Sequence, residues 1–253
     1  MKNSKIEVPW DWRHSIFLWV IVFLSITGVN FTVILTANDT LTTFFTSGVF
    51  EGNFVLIMDL LLTLGFALCI TDFRTFVKVE GFRKIGLKWA IIALIIGIIF
   101  PFIGSRVGYL QKLFWSSPFI EYLWDYSLPI RPPSEIFSGF LVYVIWVGTC
   151  EEVLFRGFIQ RGLEKTFSRT NVLIPIFITS FLFAVMHIAY GTAIQYTVGY
   201  PWFEFGLFRI LPITIESLLF GWFYYKSDHN ILVPIIIHGF GDFFAMCLMP
   251  FLS

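Results

Sequence analysis

The chain has 253 residues, 57% of them hydrophobic and only 13% charged, with 32 Phe and a mean hydropathy of +0.80. A soluble domain of this size carries about a quarter charged residues, so a water-soluble globule is excluded and an all-α, polytopic membrane bundle is indicated. The formal net charge is zero, which leaves no electrostatic footprint for a nucleic acid.

Seven apolar runs are long enough to cross a bilayer: 15–35, 54–71, 87–104, 136–159, 172–190, 205–225 and 231–251. The N-terminus is basic (Lys2, Lys5, Arg13), but the first run is too long for a signal h-region and no small-residue cleavage site follows it. It reads as an uncleaved span. No repeat or linker divides the chain, so 1–253 reads as a single membrane domain. Cys69, Cys150 and Cys247 are odd in number and lie in apolar runs, which gives no disulfide framework.

Basic residues alternate between the connecting segments. Arg74, Lys78, Arg83, Lys84 and Lys88 follow the second run, Arg161, Lys165 and Arg169 follow the fourth, and Lys226 follows the sixth. Segments 36–53 and 191–204 hold none, nor does the C-terminal tail. By the positive-inside rule the N-terminus is cytoplasmic and the C-terminus outside. The basic stretch 80–88 reads as a loop anchored at the headgroups. Within the long segment after the third run, 107–123 is aromatic and reads as an interfacial or re-entrant helix that would raise the count to eight; 125–133 reads as an exposed turn. Pro101, Pro175, Pro212 and Pro234 lie in or near spans and suit a bundle that opens around a cavity.

The ionisable residues inside the runs carry the chemistry. Segment 149–156 reads TCEEVLFR. Ionisable groups at membrane depth are costly unless paired or facing a wet cavity, and are functional by default. On a helix, Glu152 and Arg156 share a face and can pair, which leaves Glu151 pointing about 100° away. Glu152 and Arg156 read as scaffold and Glu151 as the reactive group. His187 lies late in the fifth run, and His238 and Asp242 share a face of the seventh, four residues apart. For any one of them the bland alternative is a backbone hydrogen bond or a local pair. Several such groups in three runs argue for a site. His14 and His229, beside charged neighbours at predicted membrane edges, read as solvated. Asp59 and Glu216 read as structural carboxylates. A glutamate facing a histidine can hold and deprotonate a water, and a second histidine can donate to a developing oxyanion. No His-Glu-x-x-His and no Gly-x-Ser-x-Gly setting is present.

Glu151-Glu152-x-x-x-Arg156, then Phe183-x-x-x-His187, then His238-x-x-x-Asp242, in order and each in its own run, resemble the motif set of the CPBP family. These are the CAAX-processing and bacteriocin-processing membrane proteases, also called the Abi family, to which the Ras-converting CAAX endopeptidase belongs. The resemblance covers 135–250 as a catalytic core; 1–134 resembles the family only in being hydrophobic. It implies an intramembrane glutamate-type endopeptidase with no cofactor, acting on a peptide or protein substrate, with or without a lipid modification. Glu151 would be the general base, assisted by His187; His238 and Asp242 would stabilise the oxyanion; Glu152 and Arg156 would support. Asp242 stands where CAAX-cleaving members resemble one another in having Asn, Asp being the other residue the family pattern admits. A carboxylate donates a hydrogen bond only when protonated, so Asp242 is either neutral or orients His238. Two histidines and a carboxylate also leave a zinc-dependent version open.

Other readings compete. Gly239-Phe240-Gly241-Asp242 matches the GxGD motif of presenilin-like aspartyl proteases, but no second aspartate stands in a Tyr-Asp context. Cys150 beside Glu151 invites a thiol protease, although a thiol in hydrocarbon stays inert without a nearby cation. A non-catalytic peptide-binding bacteriocin-immunity protein and a proton-coupled transporter using Asp59, Glu151 and Glu216 complete the set. By the run limits above, Glu151 and Arg156 fall toward one end of their span and His187 toward the opposite end of its own. That conflict requires staggered or longer helices.

Overall fold

The computed structural model describes residues 7–36, 51–114, 133–167, 171–198 and 202–245, and these are helical almost throughout. The helices are α1 (Trp12–Thr36), α2 (Glu51–Ile70), α3 (Phe73–Glu80), α4 (Leu87–Phe114), α5 (133–167), α6 (Leu173–Val198), α7 (Trp202–Lys226) and α8 (Leu232–Phe243). A helix stands at each of the seven apolar runs. Trp12–Val29 and Ile136–Phe167 are each long and apolar enough to cross a bilayer, and Leu56–Ile70 passes the same test with Phe73–Glu80, from which it is bent by 116°. By that measure the described residues hold two spans, or three with the bent pair.

Helix α3 opens the connecting segment after the second run, where no helix was expected; the stretch read as basic loop, 80–88, is non-helical from 81 to 86. The ends of α3 are written in the sequence: Asp72 caps the first turn by accepting from the Thr75 N–H, and Gly81 closes the last at φ 86, a backbone conformation natural to glycine. Phe76, Val79 and Glu80 face inward. Helix α4 also outruns its predicted limit. Residues 107–114 continue it and do not start a separate element, while the remainder of 107–123 and most of 125–133 lie outside the described residues. Pro101 and Pro212 sit inside α4 and α7; Pro175 and Pro234 fall in first turns, where the missing N–H costs no helical hydrogen bond.

Helix α5 is the central element. Every residue from Cys150 to Gln160 is buried. Two π-wound segments, Leu141–Val147 and Val153–Gln160, flank the α-helical turn Gly148–Glu152 that carries the paired glutamates. Wider winding disturbs the backbone hydrogen-bond ladder, and here a carbonyl of the second segment takes outside donors: the Trp10 indole N–H at 2.8 Å and the Ser15 hydroxyl at 3.4 Å both donate to the Phe158 oxygen. Trp10 also stacks on the Phe158 ring, centroids 4.5 Å apart. One buried cluster joins α1, α2, α3, α5 and α6 (Leu18, Ala67, Phe76, Phe155, Phe183), and a second joins α4, α7 and α8 (Ala93, Phe220, Ile237).

Glycines set how closely α5 meets α8. A methyl on Gly148 would lie 2.9 Å from the Ile235 oxygen, and one on Gly239 would lie 2.6 Å from Val144 Cα. Small residues let two membrane helices touch backbone to backbone, and this contact carries His238 to α5. The depth conflict disappears because the helices are longer than the hydropathy limits. With α5 running on to Phe167 and α6 to Val198, Glu151 and His187 each fall near the middle of their helices.

Candidate active site

His238 is the centre of the cluster. Its Nδ1 lies 2.9 Å from Glu152 Oε1, so Nδ1–H donates to that carboxylate. Its Nε2 lies 3.3 Å from Asp242 Oδ2 and 3.7 Å from Glu151 Oε2. Glu152 is engaged twice, since its second oxygen forms an ion pair with Arg156 Nε at 3.1 Å, both side chains being fully buried. This is the pairing expected from the four-residue spacing. Arg156 also donates from Nη2 to Ser217 Oγ at 2.8 Å, and its guanidinium lies over the Phe183 and Phe220 rings at 5.4 and 5.6 Å. Cation–π contacts and a hydroxyl stand in for the water this charge has lost.

The aromatic rings fix the imidazole. Phe220 stacks on His238 at 4.9 Å with an interplanar angle of 20°, and Phe183 meets it edge-on at 5.7 Å. Phe183 also packs edge-on against its own-helix neighbour His187, whose Nδ1 lies 3.0 Å from the Phe183 carbonyl oxygen. In the neutral ring that bond places the proton on Nδ1 and the lone pair on Nε2. The backbone hydrogen bond offered as the bland reading of an intramembrane histidine is therefore present, and it also sets the tautomer. Five of the six expected residues, Glu151, Glu152, Arg156, His238 and Asp242, meet directly. His187 joins them through Phe183 and lies within electrostatic range of His238 and Asp242.

Exposure grades across the cluster. Glu152 and Arg156 are sealed, His238 and Glu151 show 6% and 8% of their side chains, and Asp242 shows 35%. Asp242 thus marks the open side. Cys150 is fully buried, which removes the accessible thiol a cysteine mechanism needs. Among the described residues no three His, Cys, Asp or Glu side chains form a group able to hold a metal ion.

Residues 133–244 match the family model described as type II CAAX prenyl endopeptidase Rce1-like. The matched segment contains all six residues of the cluster. This part of the chain is similar to the CAAX-protease family. The match supports a CAAX-type intramembrane endopeptidase in general, and with the apolar helices it fits an integral membrane protein with a peptide or protein substrate. No curated protein and no solved structure matches the chain.

Several residues of this cluster escaped the sequence reading. Ser217 and the rings of Phe183 and Phe220 have no charge to draw notice. Arg209 lies seven residues before Glu216, on the same face of α7, and within electrostatic range of Glu216, Asp242, Glu151 and His187. Intramembrane Arg and Glu two turns apart form a legible signal, and with Arg209 in range Glu216 has the charge partner that its sequence neighbours did not suggest. His229, expected to be solvated, is mostly covered and meets Glu164 Oε2 at 2.8 Å, far from the cluster along α5.

Proposed function

We propose that the protein hydrolyses a peptide bond with a water activated by Glu151. The observation that carries this reading is the unequal use of two neighbouring carboxylates. Glu152 is consumed by Arg156 and His238, whereas Glu151 stays slightly open and, among the described residues, has an ion-pair neighbour at 3.7 Å and no hydrogen bond. A carboxylate in that state can accept a proton from a water placed between it and the lone-pair nitrogen of His187.

The water's oxygen attacks the carbonyl carbon while its proton passes to Glu151. The resulting oxyanion accepts a hydrogen bond from His238 Nε2–H, present in the charged ring whose Nδ1–H is committed to Glu152. The C–N bond then breaks and Glu151 returns the proton to the leaving amine. Asp242, at 3.3 Å from Nε2, orients that ring, which suits a carboxylate better than direct donation to the substrate. The substrate is a peptide ending in a CAAX-type tail, whose cysteine is the site of prenylation. No metal takes part in this scheme.

Cleavage of a quenched-fluorescent peptide library by purified protein in detergent tests it. Activity that survives a zinc chelator and disappears in Glu151→Gln is the expected result. Loss on chelation with recovery on adding zinc would make Glu151, His187 and His238 metal ligands. A folded wild type that binds peptides and cleaves none would leave a peptide-binding protein.

A further inference from the structure

An extended CAAX tail brings a further negative charge, its own terminal carboxylate, to a site that already holds Glu151 and Asp242 with Glu216 in electrostatic range. His238 is committed to the oxyanion, so a second cation would balance this charge. Arg156 is unreachable, being fully buried beneath Glu152, Ser217, Phe183 and Phe220. Arg209 is exposed and lies within electrostatic range of Glu151, Asp242 and Glu216, two helical turns before Glu216 on the same face of α7.

Register gives its height. Arg156 bonds Ser217 and Gln160 bonds Gly221, in both cases with an offset of 61 residues, so α5 and α7 run parallel here. The same offset puts Glu151 level with Pro212. Arg209 then begins about one helical turn, ~5 Å, beyond the general base, on the side away from the sealed Glu152–Arg156 pair. The a-a-X tail beyond the cysteine spans ~10 Å when extended. A carboxylate at that distance from the scissile bond falls within the combined reach of the helical step and a long arginine side chain. Planar guanidinium is the group best matched to a carboxylate, by paired N–H···O bonds.

We propose that Arg209 binds the C-terminal carboxylate of the peptide, and so makes the enzyme read the end of the chain. This rests on the peptidase reading above. It makes the protein prefer substrates with a free C-terminus over internal or amidated sequences.

The test compares one CAAX peptide as free acid and as C-terminal amide, with two readouts. Binding is measured on Glu151→Gln protein with and without R209Q, and cleavage on the wild type and R209Q. The acid should bind at least ~10-fold tighter than the amide to protein carrying Arg209, and the ratio should fall to about one in R209Q. In cleavage, R209Q should raise KM for the acid at least ~10-fold more than for the amide; R209K, which keeps the charge and loses the fork, should fall between. Equal binding of acid and amide to protein carrying Arg209, or an unchanged ratio in R209Q, overturns the assignment. So does an equal fall in kcat for both peptides, which would put Arg209 in the electrostatics of the chemical step. If binding shows the ratio and no protein cleaves, the carboxylate site stands and the peptidase reading fails.

Discussion

Helix α5 carries two buried ionisable clusters, one at Glu151–Arg156 and one at Gln160–Glu164, and their carboxylates are treated differently. Glu164 is saturated: one oxygen accepts from Gln160 at 2.9 Å, the other lies 2.8 Å from His229 Nε2 and takes Arg161 at 3.2 Å. Its partners come from α5 itself and from the turn between α7 and α8, where Asp228 and His229 hold φ values of 60 and 62, and Arg83 bonds the Ser227 and Asp228 carbonyls. Glu164 therefore clamps a strained turn to the central helix. Glu151, thirteen positions earlier, is left short of donors beside a histidine. A satisfied carboxylate holds structure together, and an unsatisfied one that water can reach is available to react.

Glu151→Gln breaks the contrast most sharply. Cleavage should fall by about two to four orders of magnitude, the usual worth of a general base, with the thermal midpoint in detergent unmoved. A matching loss of stability would make Glu151 scaffold. Arg156→Ala comes next, because it strands Glu152 without its cation: about 3–5 kcal/mol of destabilisation is expected, read as a large drop in midpoint whether or not activity is assayed. Glu164→Gln should show the reverse signature of Glu151→Gln, a loss of about 1–3 kcal/mol with cleavage per folded molecule kept.

The Glu80 carboxylate packs directly over Gly157, where any added methyl would overlap it. Gly157→Ala should cost about 1–3 kcal/mol, and Glu80→Ala in the same chain should recover most of that, a coupling readable in a double-mutant cycle. The smallest effect is expected for Asp242→Asn. If Asp242 orients His238, cleavage should stay within about tenfold of wild type, since an amide oxygen can still accept from the ring. Complete loss would revive the aspartyl-protease reading of Gly239–Asp242.

Reading by hydropathy located the helices but not their ends. It stopped α5 at 159 and α6 at 190, because charged and polar residues lower the mean even where the helix continues, and this produced the false conflict in depth between Glu151 and His187. It missed α3 for the same reason: Arg74 and Lys78 made a capped amphipathic turn look like loop, although Asp72 and Gly81 mark its ends. Within a helix the spacing argument was reliable. Glu152–Arg156 and His238–Asp242 pair at 3.1 and 3.3 Å, as four-residue spacing requires.

What the sequence determined by itself is therefore local: an all-helical membrane chain, the pairs along each helix, and the motif set that marks the family. Helical periodicity is a property of neighbouring residues and needs no partner. Only the tertiary structure decided that His238 donates a hydrogen bond from Nδ1–H to Glu152, that Gly148 and Gly239 bring α5 against α8, that His229 clamps Glu164, and that Arg209 lies within electrostatic range of the site. Each of those depends on which faces of distant helices meet and how closely their backbones approach, a matter of packed volumes and π winding that no single run of residues encodes.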